Sequence, residues 1–364
     1  MTAPLHIPRS LLLQWHLTER CNLRCAHCYQ GAELPQEVPL PRLLEILGQF
    51  ESMLADLRQR ASPARLPAHL TLTGGEPFVR QDFLDFLEII ASRSQRYSFA
   101  ILTNGTLIEP ELARTLKRLG PRFVQVSLEG TQATHDRIRG PGNFERTVSA
   151  IRALRAEQIP TFVSFTAHRD NFREFPSVAR LGQALDVTRV WADRLIPIGD
   201  PYESACRMLS PEETREFFQL MAQARPPGRV QPGGCEVAMH RALQFLVGGG
   251  EPYHCTAGDS LLTILPDGTL YPCRRMPIRI GNVLEQPLAA LYQEHELLRQ
   301  LRDPNQVSAG CERCAYSPLC RGGLKCLSYA ARGTPFQADP GCWIAMRQTR
   351  GCAGKALAYS ETQG

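Results

Sequence analysis

The chain has 364 residues, and its 41 Lys and Arg stand against 36 Asp and Glu for a formal net charge of +5. With 43% hydrophobic and 21% charged residues it can bury a sizeable core, so wholesale disorder is excluded, and so weak a positive charge gives no footprint for nucleic acid. There is no apolar run of about 18 residues to span a membrane, and the opening MTAPLHIPRSLLLQWHL has neither a basic n-region nor a small-residue cleavage site for export. Thirteen cysteines are the anomaly. In a long, non-secreted chain, clustered cysteines read as metal or redox ligands, which points to a soluble, cytoplasmic metalloprotein of two or three domains.

In chain order, short apolar runs at 11–17, 69–73, 98–103, 123–128, 161–166 and 189–196 have the length and β-branched or aromatic content of buried strands. Between them lie segments of helical spacing. The first carries Leu40, Leu43, Leu44, Leu47, Phe50, Met53, Leu54 and Leu57; the others cover about 81–95, 109–119, 143–157, 173–185 and 211–225. Pro110 and Pro211 sit where a first helical turn tolerates proline. Six strand–helix pairs in a row predict parallel strands with right-handed crossovers, in an open doubly wound sheet or an incomplete barrel.

After Arg225 the pattern changes. Pro226, Pro227, Gly228, Pro232, Gly233 and Gly234 mark a linker, a helix is expected over 236–247, and Gly248–Gly250 stops it. Leu261–Leu265 and Thr269–Cys273, joined across Pro266-Asp267-Gly268, predict a hairpin. Residues 255–342 hold seven of the thirteen cysteines, as expected of a second module folded around ligands more than around a core.

The first cysteine group, Cys21-x3-Cys25-x2-Cys28, follows directly on the first strand. Three thiolates within eight residues can bind three corners of a cubane cluster and leave the fourth iron open to a second molecule. The competing reading is a zinc knuckle that recruits His27 as its fourth ligand; the place of the loop in the strand–helix pattern disfavours it.

Cys21, Cys25 and Cys28 with Tyr29 resemble the cluster loop of the radical S-adenosylmethionine (AdoMet) superfamily. Thr73-Gly74-Gly75-Glu76-Pro77 after the second strand is similar to that family's GGE motif, which implies that Gly74, Gly75 and Glu76 hold the methionine amino group. Asn104 follows the third strand. Ser127-Leu128-Glu129-Gly130 follows the fourth and resembles the family's ribose-contacting Ser-Leu-Asp-Gly, with Glu129 in place of Asp. Arg139 falls where relatives pair the AdoMet carboxylate. Singly, Gly74-Gly75 or Asn104-Gly105 would be ordinary turns and Glu76 an exposed first-turn carboxylate; their joint order over about 11–200 defeats those readings. Loops at the carboxyl ends of successive parallel strands imply an α/β fold, a partial (β/α)6 TIM-like barrel. His135 and Asp136 are expected to be structural, and His16, His69, His168 and His240 ordinary. No acid–base pair is assigned.

Cys255-x17-Cys273, Cys311-x2-Cys314-x5-Cys320-x5-Cys326 and Cys342 resemble the SPASM extension of peptide-modifying radical AdoMet enzymes. The resemblance implies one [4Fe–4S] cluster on Cys311, Cys314, Cys320 and Cys342. It implies another on Cys255, Cys273 and Cys326, with an open iron or a fourth ligand for which Cys235 is a candidate. Where the family has three residues before the fourth clustered cysteine, this chain has five, Arg321–Lys325. Zinc is the alternative for Cys311-x2-Cys314. Cys206 and Cys352 have no spacing partners and are expected to be unligated. Arg274, Arg275 and Arg279 are expected on a solvated face; the alternatives are that they neutralise cluster thiolates or meet an acidic peptide or a propionate-bearing substrate.

The expected organisation is a barrel over 1–205, a bridge over 206–254, a SPASM domain over 255–350 and a tail over 351–364. The resemblance implies a [4Fe–4S] cluster at Cys21, Cys25 and Cys28, AdoMet, and one or two auxiliary [4Fe–4S] clusters. The expected function is maturation of a ribosomally made peptide or protein by hydrogen abstraction, with a flavodoxin or ferredoxin as electron donor. About ten residues precede the first strand, so a leader sequence, if used, is expected to need a separate partner protein or another surface. Tetrapyrrole side-chain modification, sulfatase-type maturation and a non-catalytic iron–sulfur carrier are the alternatives.

Overall fold

The computed structural model describes residues 5–30, 36–198, 207–226 and 234–345. Cys206, Cys352, most of the expected linker and the 351–364 tail lie outside the described residues. The six apolar runs form β1 (Leu11–His16), β2 (Ala68–Thr73), β3 (Ser98–Thr103), β4 (Phe123–Ser127), β5 (Thr161–Ala167) and β6 (Arg189–Arg194), each parallel to the next. The helices between and after them are α1 (Leu40–Ala61), α2 (Phe83–Ser92), α3 (Pro110–Leu119), α4 (Gln132–Arg139), α5 (Asn143–Ala156), α6 (Phe175–Ala184) and α7 (Pro211–Gln223). This is the partial (β/α)6 barrel expected from the motif order. α4 was not anticipated: eight residues closed by Gly140 at φ +100° are too few to show a period. Among the described residues no helix is long and apolar enough to cross a membrane.

Strand alternation divides the sheet into a dry face and a wet one. Leu11, Leu13 and Trp15 point to the helices; Trp15 meets Phe86 of α2 edge-to-face at 5.3 Å, and α1 buries Leu43, Leu47, Phe50, Leu54 and Leu57. The opposite, concave face carries Gln14 beside Thr71, Ser127 beside Ser164 and Trp191, and Thr166 beside Asp193. At the amino-terminal end of the strands, His69 stacks on Phe123 at 5.7 Å, Phe123 on Phe162 at 4.2 Å, and the Arg189 guanidinium lies 4.8 Å from the Phe162 ring. That stack closes the floor and leaves the carboxyl ends as the open side.

The helix expected over 236–247 is replaced by a strand, β7 (Glu236–Ala238), and a short helix, α8 (Phe245–Gly248). β7 pairs with β6 from Arg189↔Glu236 to Trp191↔Ala238; the free edge of β6 supplies backbone partners that outweigh local helix propensity. The expected hairpin is present as β8 (Leu261–Ile264) and β9 (Thr269–Tyr271), with Gly268 at φ +85° and Asp267 accepting from Thr269 N at 2.9 Å. β8 also runs parallel to β1, Leu12↔Leu261 to Trp15↔Ile264, and β10 (Gly281–Asn282) follows β9. The sheet is therefore continuous, in the order β10-β9-β8-β1-β2-β3-β4-β5-β6-β7. The cysteine-rich segment caps the free edge of β1, which would otherwise expose unpaired backbone groups.

The last elements, α9 (Leu288–Glu294), α10 (Glu296–Arg302), α11 (Ser317–Cys320) and α12 (Lys325–Arg332), lead to Asp339. Its buried carboxylate accepts from Arg194 at 2.8 and 2.6 Å, Leu324 N at 3.0 Å and Gly341 N at 2.9 Å. One side chain thus ties the end of β6 to the segment that carries Cys342. Asp339→Ala strands a buried guanidinium, and thermal or denaturant unfolding of the metal-free protein is expected to show a loss of about 3–5 kcal/mol.

Candidate functional site

The backbone after β1 turns through residues 18–30. Gly75 N donates to Thr18 O at 2.8 Å, and Glu76 N to Arg20 O at 2.9 Å. A Cβ on Gly74 would collide with Thr18 O and one on Gly75 with Arg20 O. The two glycines are therefore demanded by the close approach of the segment that leads into Cys21, whatever else the loop does. Ala26 N donates to Ile138 O at 2.8 Å, which moors the cysteine loop on α4. Cys21, Cys25 and Cys28 are free thiols close enough for their charges to oppose one another, and burial first of all pushes the thiols of Cys21 and Cys25 up. Donors face the sulfurs: Leu23 N lies 3.4 Å from Cys21 Sγ, Asn104 Nδ2 3.8 Å from the same atom, and Arg139 Nη1 3.7 Å from Cys25 Sγ.

Glu76 is not the exposed carboxylate of the simpler reading. It is fully buried and accepts from Thr103 Oγ1 at 2.9 Å, Asn104 N at 2.8 Å and Phe78 N at 3.3 Å; burial raises it to about 7 even so. Asn104 spends its side chain on bracing: Nδ2 donates to Asn22 Oδ1 at 2.9 Å and Oδ1 accepts from Thr106 N at 2.9 Å. Ser127 is half-buried on the concave face. Glu129 and Arg139 meet at 2.5 Å, so two residues singled out separately form one ion pair. His135 Nδ1 accepts from Glu129 N at 3.3 Å, and Asp136 accepts from Gly142 N and Phe144 N at 2.9 and 2.8 Å, structural duties both. His16 is fully buried with both ring nitrogens unpartnered, which is not ordinary.

The later cysteines fall into two groups. Cys311, Cys314, Cys320 and Cys342 influence one another's charge, and burial, then the neighbouring thiols, pushes Cys311 up to about 12. Cys255, Cys273 and Cys326 form the other group, Arg275 beside them. The longer spacing before Cys326 has a visible cause. Arg321, Gly322 and Gly323 have φ of 54°, 90° and 80°, and a Cβ on Gly323 would meet Asp339 Cβ at 2.6 Å. This left-handed turn directs Cys326, on the first turn of α12, away from Cys320 toward Cys273. Cys235 stands apart, against Gly182 and near Asp186 and Glu236, and does not join Cys255, Cys273 and Cys326. Among the described residues no group of three or more His, Cys, Asp or Glu is arranged to hold a single metal ion.

Two arginines leave the solvated face where they were expected. Arg274 is buried, donates to Glu19 at 3.2 Å and lies 5.0 Å from the Tyr29 ring; Arg279 alone is exposed, 3.9 Å from Glu285. Arg275 and Arg241 converge on Asp193 Oδ2 at 2.6 and 2.7 Å. Sequence reasoning had no means of finding Asp193 or Arg241, which pair across 48 positions; His27, weighed there only as a zinc ligand, reaches Glu129 with its ring at 3.4 Å.

A sequence profile of the Radical SAM superfamily matches residues 15–182, and a profile of the SPASM iron–sulfur cluster-binding domain matches residues 255–315. The chain belongs to the radical AdoMet superfamily. This radical AdoMet protein is similar to the AdoMet-dependent heme synthase of Methanosarcina barkeri, 28% identical over 358 residues, 94% of this chain and 98% of that one. It is also similar to the mycofactocin maturase MftC of Mycolicibacterium smegmatis, 28% identical over 91% of this chain and 82% of that one. Its fold matches anSMEcpe with bound AdoMet (TM-score 0.70, 18% identity, 94% and 96% covered) and Streptococcus suis SuiB (TM-score 0.70, 16% identity, 92% and 77% covered). A [4Fe–4S] cluster and AdoMet go with the first domain and auxiliary iron–sulfur clusters with the second. The residues present fit them: thiols with N–H donors aimed at sulfur suit thiolate ligands, and the cradle at Gly74-Gly75 has no room for a side chain.

Glu76 gives this site a pH signature. Its carboxyl is raised on folding, so the native state binds the extra proton between about 4.5 and about 7. Unfolding free energy of the metal-free protein is therefore expected to fall across that window by about 3 kcal/mol at most. Denaturant titrations at several pH values should show this slope flattened in Glu76→Gln.

Proposed function

We propose that this radical AdoMet enzyme alters a carboxylate-bearing side chain of a tetrapyrrole. In this reading Cys21, Cys25 and Cys28 hold the cluster with the open iron, Glu76 and the Gly74-Gly75 backbone receive the AdoMet amino group, and Arg139 its carboxylate. Cys255, Cys273 and Cys326 hold one auxiliary cluster, and Cys311, Cys314, Cys320 and Cys342 another. When bound, these groups supply a 5′-deoxyadenosyl radical that removes hydrogen and an acceptor for the electron left behind. The chain's own part is to bind, orient and exclude water.

The observation that carries the substrate class is the cationic node on the concave face. Two guanidiniums, Arg241 and Arg275, share the single carboxylate of Asp193 beside Cys273 and Cys326. One positive charge is left over for a substrate carboxylate, and arginine forks suit that geometry. Likeness along nearly the whole chain to heme synthases, an Fe-coproporphyrin III synthase and a pre-heme d1 synthase supports the same class. Sequence motifs alone put a peptide first; the Asp193 node and these relatives move a tetrapyrrole ahead of it. The mycofactocin maturases keep peptide maturation as the second reading. The likeness to SuiB, solved with its precursor peptide SuiA, bears on the fold alone.

The test is anaerobic incubation of the reconstituted, reduced enzyme with AdoMet and iron coproporphyrin III. Expected are 5′-deoxyadenosine and a porphyrin that has lost carbon dioxide and two hydrogens from a propionate. Nucleoside release with an unchanged porphyrin mass, and a changed mass in a short peptide encoded beside this chain's gene, would replace this reading with the peptide one. Cys25→Ala is expected to end nucleoside release while auxiliary iron stays, and Cys314→Ala to lower iron by about one cubane.

A further inference from the structure

The resemblance casts Glu129 as a contact to the AdoMet ribose, but its carboxylate is already fully engaged. Oε1 accepts from Arg139 Nη2 at 2.5 Å and Nε at 3.2 Å, and the His27 Nε2 atom lies 3.4 Å away. Oε2 accepts from Thr166 N at 2.9 Å. A carboxylate has about four lone-pair sites, and four nitrogens surround this one. The main chain is tied as well, with Glu129 N on His135 Nδ1 and Glu129 O accepting from Asn171 Nδ2 at 3.1 Å. The residue has no exposed surface. Burial works against its charge, but Arg139 and then His27 outweigh burial and hold the carboxyl below the usual range.

The groups Glu129 grips are the ones that touch the cofactor site. Arg139 reaches to 3.7 Å from Cys25 Sγ, and His27 sits inside the cysteine loop itself. Thr166 lies at the carboxyl end of β5, beside Asp193 of β6. The extra methylene that separates Glu from Asp lets one carboxylate join the β4 loop, β5, α4 and the cysteine loop.

We propose that Glu129 is a positioning residue, which sets Arg139 and the cysteine loop for AdoMet and makes no contact with the ribose hydroxyls. It holds no bond to spare for them. The ribose would then depend on other groups, and the Glu-for-Asp exchange marks a changed duty at this position.

Calorimetric titration of the oxidised holoenzyme with AdoMet, 2′-deoxy-AdoMet and 3′-deoxy-AdoMet distinguishes the two roles. A positioning role predicts that Glu129→Gln weakens all three ligands by one common factor, about tenfold to a hundredfold for loss of charge-assisted bonds. Arg139→Lys added to Glu129→Gln is expected to cost little more, because the two act as a unit. The proposal is overturned if Glu129→Gln abolishes the discrimination between AdoMet and a deoxy analogue, or leaves AdoMet affinity as in the wild type. Hydrogen exchange of the metal-free protein gives a readout that does not require cluster loading. Glu129→Gln should speed exchange over 22–28 and 132–140 and leave β3 unchanged; unaltered exchange in those two segments also overturns it.

Discussion

β1 is hydrogen-bonded along both edges, to β2 on one side and to β8 on the other, and the geometry of the whole site follows from that. Parallel pairing in register brings the carboxyl ends of all three strands to the same side. The cysteine loop leaves β1 there, the Gly74-Gly75 turn leaves β2 beside it, and β9 returns from β8 to deliver Cys273 and Arg274 to the opposite flank. A slip of one residue in either pairing would turn His16 and Gln14 toward the helices and Trp15 into the lumen, so burial of Trp15 against Phe86 enforces the register.

Around that frame, buried charges occur in matched sets. Glu129 answers Arg139, Asp193 answers Arg241 and Arg275, and Asp339 answers Arg194. Buried ion pairs contribute little net stability, because desolvation consumes most of the attraction, but each defines where its partners sit. The Asp193 and Asp339 sets join elements remote in sequence, whereas Glu129 and Arg139 lie ten positions apart. They stand between cysteines, too: Arg139 beside Cys25, Arg275 beside Cys273 and Cys326, and Asp339 just before Cys342. The guanidiniums are placed where clustered thiolates would otherwise repel.

The barrel strands and the cysteine spacings are legible because each is a local pattern, read from a few consecutive residues. Gly74 and Gly75 are legible as a motif, yet the reason for them is the main chain at Thr18 and Arg20, some 55 positions earlier. Glu76 illustrates the converse. A carboxylate next to a proline looks like surface, and only the fold puts it under Thr103 and Asn104. The segment 236–247 misled because helix periodicity was the only signal in it, whereas the open edge of β6 offered bonds that no local pattern records. Arg274 and Arg275 misled in the same way, since a basic run carries no mark of the acidic partners at Glu19 and Asp193.

What the chain determines by itself is the alternation of strands and helices, the three-thiol loop on the first strand and the second field of cysteines, since periodicity and ligand spacing are properties of neighbours. Tertiary structure alone decided that the cysteine-rich hairpin shares the barrel's sheet, that Cys326 turns to Cys273 while Cys235 stands aside, and that Glu129 spends its carboxylate on Arg139, His27 and Thr166. Those outcomes depend on unpaired edges, on room for a left-handed turn and on charges that must find partners once buried, and such demands arise only when distant segments meet.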